Sequence, residues 1–288
     1  MQAPVGLRQL RILYGLAAFA FPTEINNVAH GQGLRALAFS GVSEKKWIQA
    51  MAHNSSHEKP AGHMIRLKAA DGHEFEAWEA GSPDAARSVV VVQEIFGLTT
   101  HIRTVCEELA AHGFHVLAPA LFDRVKPHTV LTYSEAGMKE GLDFRSRIPS
   151  EKIQEDITAC ADALRGRNAG QPVGILGFCW GGLIAWLAAT QTHHFNAAVS
   201  WYGGGIANHV DTPPHCPVEL HFGGEDAHIP PSDLQKIRAA RREVEEYVYD
   251  DAGHGFGCPD RPSFNRDARD LAWSRSVAFF ERHLHPKK

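Results

Sequence analysis

The chain has 288 residues, 44% apolar and 22% charged, with 26 Gly and 16 Pro, a balance that excludes disordered, collagenous and coiled-coil architectures. Its formal charge is −4, from 29 basic and 33 acidic residues without a Lys/Arg-rich run, which argues against a nucleic-acid partner. The longest apolar stretch, Ile12 to Phe21, falls far short of the ~20 residues that span a bilayer, so no membrane-embedded protein is expected.

Residues 1–62 read as an N-terminal extension. Arg8 and Arg11 flank the start of the apolar run and no acidic residue precedes Glu24, which leaves two readings open, a targeting segment or a disordered extension. Ala50 to His63 is polar and His-rich, like a linker. A single domain is expected over residues 63–288. Met64 to Ala69 and Glu74 to Glu79 flank Asp71-Gly72, a hairpin signal. Ser88 to Gln93 carries four consecutive Val, the continuous apolar run of a strand buried on both faces. Ile102, Val105 and Leu109 recur at helical spacing, with Gly113 placed to stop that helix. His115 to Leu121 is the next strand, and 123–148 is polar without a clear period. Ser150 is expected to cap a helix with Ile153, Ile157, Ala161 and Leu164 on its apolar face. Pro172 to Leu176, Ala197 to Tyr202, Val218 to Phe222 and Val244 to Tyr249 read as strands, with a helix over Gly181 to Thr190. Ser232 and Gln235 suggest a capping box for a helix running to about Arg242, and Leu271, Val277, Phe280 and Leu284 mark one face of a last helix. Strands alternating with helices predict an α/β fold with a mainly parallel sheet and helices on both faces.

Gly177-Phe178-Cys179-Trp180-Gly181-Gly182 falls between a predicted strand and a predicted helix, the nucleophile-elbow pattern with Cys in place of Ser. Chance supplies roughly 0.04 such G-x-C-x-G matches in a chain of this composition, so a buried structural Cys is the weaker reading. The amides of the following helix would point at the sulfur and favour its nucleophilic form. An elbow needs an acid and then a base later in the chain. Asp226, after Val218 to Phe222, and His254, after Val244 to Tyr249, satisfy that order, with Glu225 a rival to Asp226. Each of the three would lie at the carboxyl end of a strand, on one edge of the sheet. Cys106, Cys160, Cys216 and Cys258 lack this setting. The five Cys form no C-x-x-C spacing, so free thiols in a reducing, cytoplasmic compartment are expected.

With Gln93-Glu94-Ile95-Phe96-Gly97, Gly177 to Gly182, Gly223-Gly224-Glu225-Asp226 and Ala252-Gly253-His254-Gly255-Phe256, the chain resembles the dienelactone hydrolase (carboxymethylenebutenolidase) family from about residue 64 to 284. The resemblance implies the α/β-hydrolase fold with little or no lid domain. It also implies a thioester acyl-enzyme on Cys179, a thiol-gating role for Glu94, and an oxyanion hole from the backbone amides of Ile95 and Trp180. Four residues after the His, where the type enzyme has an Arg that helps hold substrate carboxylate, this chain has Cys258. Arg124, after Pro119 to Asp123, is the first candidate for that duty and Arg261 the second, followed by Arg145 and Arg147; solvated surface charge is the alternative for all four.

The function expected is hydrolysis of enol-lactones or small activated esters. The rivals are a general carboxylesterase on the same residues, or a non-catalytic ligand receptor or thiol sensor on this scaffold. No metal or organic cofactor is implied, because the His are scattered and His193-His194 lacks partners at ligand spacing. The partner expected is a small-molecule substrate, with no nucleic acid or membrane, for a monomer or small homo-oligomer.

Overall fold

The computed structural model describes residues 62–166 and 170–285; the readings made for the first 61 residues lie outside the described residues. From His63 the chain runs β1 (His63–Lys68), β2 (Glu74–Ala80), β3 (Arg87–Val92), α1 (Thr100–Ala111), β4 (Phe114–Pro119), α2 (Glu135–Arg147), α3 (Ser150–Arg165), β5 (Val173–Phe178), α4 (Trp180–Gln191), β6 (Ala197–Trp201), β7 (Val218–Gly223), α5 (Pro231–Ala240), β8 (Glu245–Tyr249) and α6 (Arg266–His283). Short 3-10 turns occupy Leu121–Arg124 and Ile206–His209.

The strands form one sheet in the order β1-β2-β4-β3-β5-β6-β7-β8. β1 and β2 pair antiparallel around Asp71-Gly72, with Lys68 opposite Glu74 and Gly72 at φ +89°. β2 also pairs antiparallel with β4, and every later pairing is parallel. All residues of β4, β5, β6 and β7 are buried, so both faces of the sheet are covered. That is why these strands read as unbroken apolar runs rather than alternating ones. The chain leaves β3 to build β4 on one side and returns to place β5 on the other. This reversal opens a crevice at the carboxyl ends of β3 and β5, the place where open α/β sheets hold their ligands.

Several local expectations are corrected. The polar segment 123–148 contains α2, whose N-terminus is capped by Ser134 accepting from the Gly137 amide. The helix escapes pattern reading because few of its residues are buried, among them Gly137, Gly141 and Phe144, and two of those are helix-disfavouring glycines. Gly141 is there for close approach: a Cβ would strike the carbonyl oxygen of Ile95. Ser150 is the first residue of α3 rather than its cap; Pro149 precedes it and no side chain caps the helix. The Ser232–Gln235 capping box does not form either. Pro230 and Pro231 open α5, and a proline in the first turn gives up only an amide with no intrahelical partner. Leu271 is 47% exposed; the buried side of α6 carries Ala268, Ala272, Ser276, Val277, Phe279 and Phe280.

Gly141→Ala is expected to destabilise the protein by about 1–3 kcal/mol through overpacking against Ile95, read as a lower Tm. An unchanged Tm would mean that α2 yields freely. Because β1 begins at His63, a chain starting there is expected to express as a soluble, cooperatively melting domain. Loss of soluble expression on truncation would show that the preceding residues are needed.

Candidate active site

β5 ends at Phe178 and α4 begins at Trp180, which leaves Cys179 alone to reverse the chain. It does so at φ +55°, ψ −114°, a conformation that costs a residue with a Cβ of order 1–3 kcal/mol. Hydrogen bonds hold the turn: the Cys179 amide donates to Trp201 O at 2.9 Å, and the Gly182 amide donates to Cys179 O at 3.0 Å. The flanking glycines are steric necessities. A Cβ at Gly177 would strike the Gly181 carbonyl, and one at Gly181 the carbonyls of Val92 and Gln93. The strain therefore presents the thiol at the head of the helix while the rest of the strand stays buried.

His254 Nε2 lies 3.2 Å from Cys179 Sγ, and its Nδ1 lies 2.8 Å from Asp226 Oδ2. The other Asp226 oxygen accepts from the His228 amide at 2.8 Å. Of the two rival acids Asp226 is buried and reaches the imidazole, whereas Glu225 is exposed. The His254 backbone is fixed by the Ser263 hydroxyl, which donates to its carbonyl at 2.6 Å. Burial alone would lower the His254 pKa, but the hydrogen bonds to Asp226 and Cys179 outweigh it, and the value is pushed up to about 9.

Glu94 follows β3 and is fully buried. Tyr133 donates to its Oε2 at 3.0 Å and Arg261 to its Oε1 at 3.1 Å. In the described structure neither oxygen is hydrogen-bonded to the Cys179 sulfur. Thr99 Oγ1 sits 3.0 Å from the Tyr133 hydroxyl, and the Arg261 guanidinium lies 5.8 Å and 6.0 Å from the ring centres of Phe96 and Tyr133. Sequence reasoning missed Tyr133, an aromatic in an unpatterned polar stretch. Cys258 and His101 also approach Glu94.

A cleft of about 360 Å³ opens over these groups, lined by Ile95, Cys179, Trp180, His254 and Arg261, with Met138 and Leu142 of α2 forming an apolar wall. Among the described residues the amides of Ile95 and Trp180 donate to no protein acceptor. Arg145 lines the cleft as well, while Arg147 pairs with Asp143.

Arg124 needs correction as a substrate anchor. Just past β4 the chain enters a 3-10 turn that directs its guanidinium to Asp156, at 2.8 and 2.6 Å, and to Asp71, at 2.9 Å. It is not among the residues lining the cleft. Burial raises the Asp156 pKa in spite of Arg124, so this carboxylate depends on its cation.

The eight-stranded, mostly parallel sheet with a reversal between β3 and β5 and a strained residue between strand and helix defines an α/β-hydrolase. A profile of the dienelactone hydrolase family matches residues 75–284, and the chain belongs to that family. A protein of Escherichia coli strain K12, provisionally named carboxymethylenebutenolidase, is 34% identical over 212 residues, covering 68% of this chain and 76% of its own. The carboxymethylenebutenolidase of Pseudomonas putida is 29% identical over 224 residues, covering 75% of this chain and 94% of its own. A crystal structure described provisionally as a dienelactone hydrolase from Klebsiella pneumoniae superposes with a TM-score of 0.65 at 30% identity, covering 77% of this chain and all of that one. The chain is accordingly a carboxymethylenebutenolidase-like hydrolase with a small-molecule substrate.

Arg124→Ala is expected to cost about 3–5 kcal/mol of stability, because it strands the buried Asp156 carboxylate. Its effect on kcat/KM should be equal for carboxylate-bearing and neutral substrates. A selective loss on the acidic substrate would return Arg124 to the site.

Proposed function

We propose that Cys179 is the nucleophile of this hydrolase, that His254 and Asp226 complete its triad, and that it opens carboxylate-bearing enol-lactones or small activated esters through a thioester. The observation that carries this reading is the continuous chain of contacts from Cys179 Sγ through both nitrogens of His254 to Asp226. A thiolate paired with a protonated imidazole, oriented by a buried carboxylate, is the arrangement that acyl transfer requires.

Substrate selection and activation fit the Arg261–Glu94 pair. Of the two guanidinium groups that line the cleft, Arg145 and Arg261, Arg261 is the one bonded to Glu94, and a substrate carboxylate offers it a better-placed partner than Glu94 Oε1. Once released, Glu94 is a buried carboxylate without a cation, which makes it a stronger proton acceptor for the thiol. The thiolate then attacks the lactone carbonyl carbon, and the amides of Ile95 and Trp180 hold the oxyanion of the tetrahedral state. Collapse breaks the ring C–O bond, and His254 gives its proton to the departing enolate oxygen. The thioester remains on Cys179. Neutral His254 then takes a proton from water, the hydroxide adds to the thioester, and the C–S bond breaks to release the acid while the sulfur recovers the proton held by Glu94. Keeping the thiol protonated until substrate arrives protects it from oxidation. With all five cysteines free, a reducing, cytoplasmic setting suits this chemistry.

Cys179→Ala is expected to lower kcat by about three orders of magnitude or more, while Ala at Cys106, Cys160 or Cys216 leaves most of it; near-normal turnover in Cys179→Ala would overturn the mechanism. Arg261→Ala should cost ~2–5 kcal/mol in kcat/KM for an acidic dienelactone and far less for a neutral aryl ester. Equal losses on both would point to a structural role for Arg261, and no loss on either would favour a general carboxylesterase.

The pH dependence follows from the raised His254 pKa. Above about 9 the imidazolium is lost, so kcat is expected to fall through that region as the leaving group loses its proton donor. Asp226→Asn removes a raising interaction and should shift the alkaline limb to lower pH. The same group links to stability: its contribution is full below the unfolded-state value of about 6.5 and is lost as pH rises through about 9. A Tm series over that window, flattened in Asp226→Asn, checks the sign.

A further inference from the structure

Glu94 has a second set of neighbours that the proposed hydrolytic steps do not use. One of its oxygens, a ring nitrogen of His101 and the Cys258 sulfur all lie within 4.8 Å of one another. Three separate segments supply them: the turn after β3, the first turn of α1, and the loop beyond His254. All three are buried, with His101 only 6% exposed and the other two at 0%. His101 makes no side-chain hydrogen bond among the described residues, and its Nε2 is sealed from solvent without a partner. Its visible contact is the edge of the Phe178 ring at 5.4 Å. A buried polar nitrogen without a partner is destabilising, and the His101 ring that carries it stands beside a carboxylate and a thiol. Burial lowers the His101 pKa, which keeps the imidazole neutral with a lone pair free to bind.

We propose that Glu94, His101 and Cys258 form a site for a thiophilic divalent cation of the zinc class, filled when Arg261 releases Glu94. Carboxylate oxygen, imidazole nitrogen and thiolate sulfur are the donors that zinc accepts in tetrahedral sites. Bond lengths near 2.0–2.3 Å put such donors about 3.5 Å apart, so these need to draw in by roughly 1 Å. Water takes the fourth position. On binding, the Cys258 S–H bond breaks, its proton goes to solvent and the sulfur pair forms the S–metal bond. No redox change occurs. Burial pushes the Cys258 thiol up to about 11, so uptake strengthens as pH rises. The charges are compatible: Glu94, ionised Cys258 and Asp260 oppose the guanidinium of Arg261, while Arg269, the other cation acting on His101, is paired with Glu108 and Asp270, and this leaves a deficit that a divalent cation fills. Occupancy engages the carboxylate that the proposed mechanism assigns to thiol activation. Inhibition by the metal therefore rests on that reading, whereas binding does not.

The test is a Co²⁺ titration of the full chain carrying Cys179→Ala, which removes the nucleophile's own thiol. One equivalent is expected to bind with a near-ultraviolet thiolate-to-cobalt band. The band should vanish when Cys258→Ser is added, and affinity should fall about tenfold or more when His101→Gln is added instead. Zn²⁺ should raise the Tm of Cys179→Ala, raise it less when His101→Gln is added and leave it unchanged when Cys258→Ser is added, the metal-free Tm of both double variants reporting that they fold. A band that survives Cys258→Ser, or none at Co²⁺ up to about 1 mM, overturns the site. Binding as described with wild-type turnover unaffected by Zn²⁺ keeps the site and overturns the gating role of Glu94.

Discussion

The left-handed turn at Cys179 is the constraint to which the rest of the site is fitted. A side chain at φ +55° persists only where its surroundings hold it, and here the sheet does so from both sides. The Cys179 amide is bound by the end of β6, Gly181 packs on the carbonyls that end β3, and β5 pairs with β3 and β6 in parallel register. Val92 stands opposite Gly177, so Glu94 leaves its strand at the level where the chain turns into Cys179. The positions of Cys179 and Glu94 are thus consequences of strand register in a packed core, which is stiffer than any loop could be.

The second determinant is a buried charge that has two claimants. Glu94 is wholly inside, and an unpaired carboxylate there would cost several kcal/mol. Arg261 and Tyr133 offset that cost in the described state. Because Arg261 also lines the cleft, anything that draws the guanidinium away leaves the carboxylate beside Cys179 without its cation. In the proposed mechanism binding and activation would then share one residue. Arg124 shows the contrasting case. Its bidentate hold on Asp156 and its bond to Asp71 tie the first hairpin to α3, and a cation saturated by two carboxylates has little left to offer a ligand.

Much of this was legible before the structure because it depends on short-range pattern. Unbroken valines mark a strand covered on both faces, and glycines spaced around a single Cys mark a turn that tolerates no other residue. The meeting of Cys179, Asp226 and His254 follows from parallel strands that carry their following residues to one edge. The features that stayed hidden arise from contacts between distant segments. Arg124 and Arg261 look alike in sequence, and their difference lies in partners 32, 53 and 167 residues away. Tyr133 becomes informative only when its hydroxyl meets Glu94. α2 was hidden for a related reason: its glycines lower helix propensity locally, yet Gly141 permits the approach to Ile95 that lets the helix form a wall of the cleft.

That wall carries the last step of the physical reading. Met138 and Leu142 give the cleft an apolar side and Arg261 gives it a charged floor, with Glu94 buried behind the guanidinium, and Leu142 remains 46% exposed at the rim. A ligand with an anionic end and a flat apolar body therefore gains twice, once from ion pairing at the floor and once from covering Leu142 and Met138. A neutral apolar ester gains only the second term and leaves the Arg261–Glu94 pair intact. On the proposed reading, discrimination between an acidic lactone and a neutral ester rests on the opposition of wall and floor, built by two segments that meet only in the folded chain.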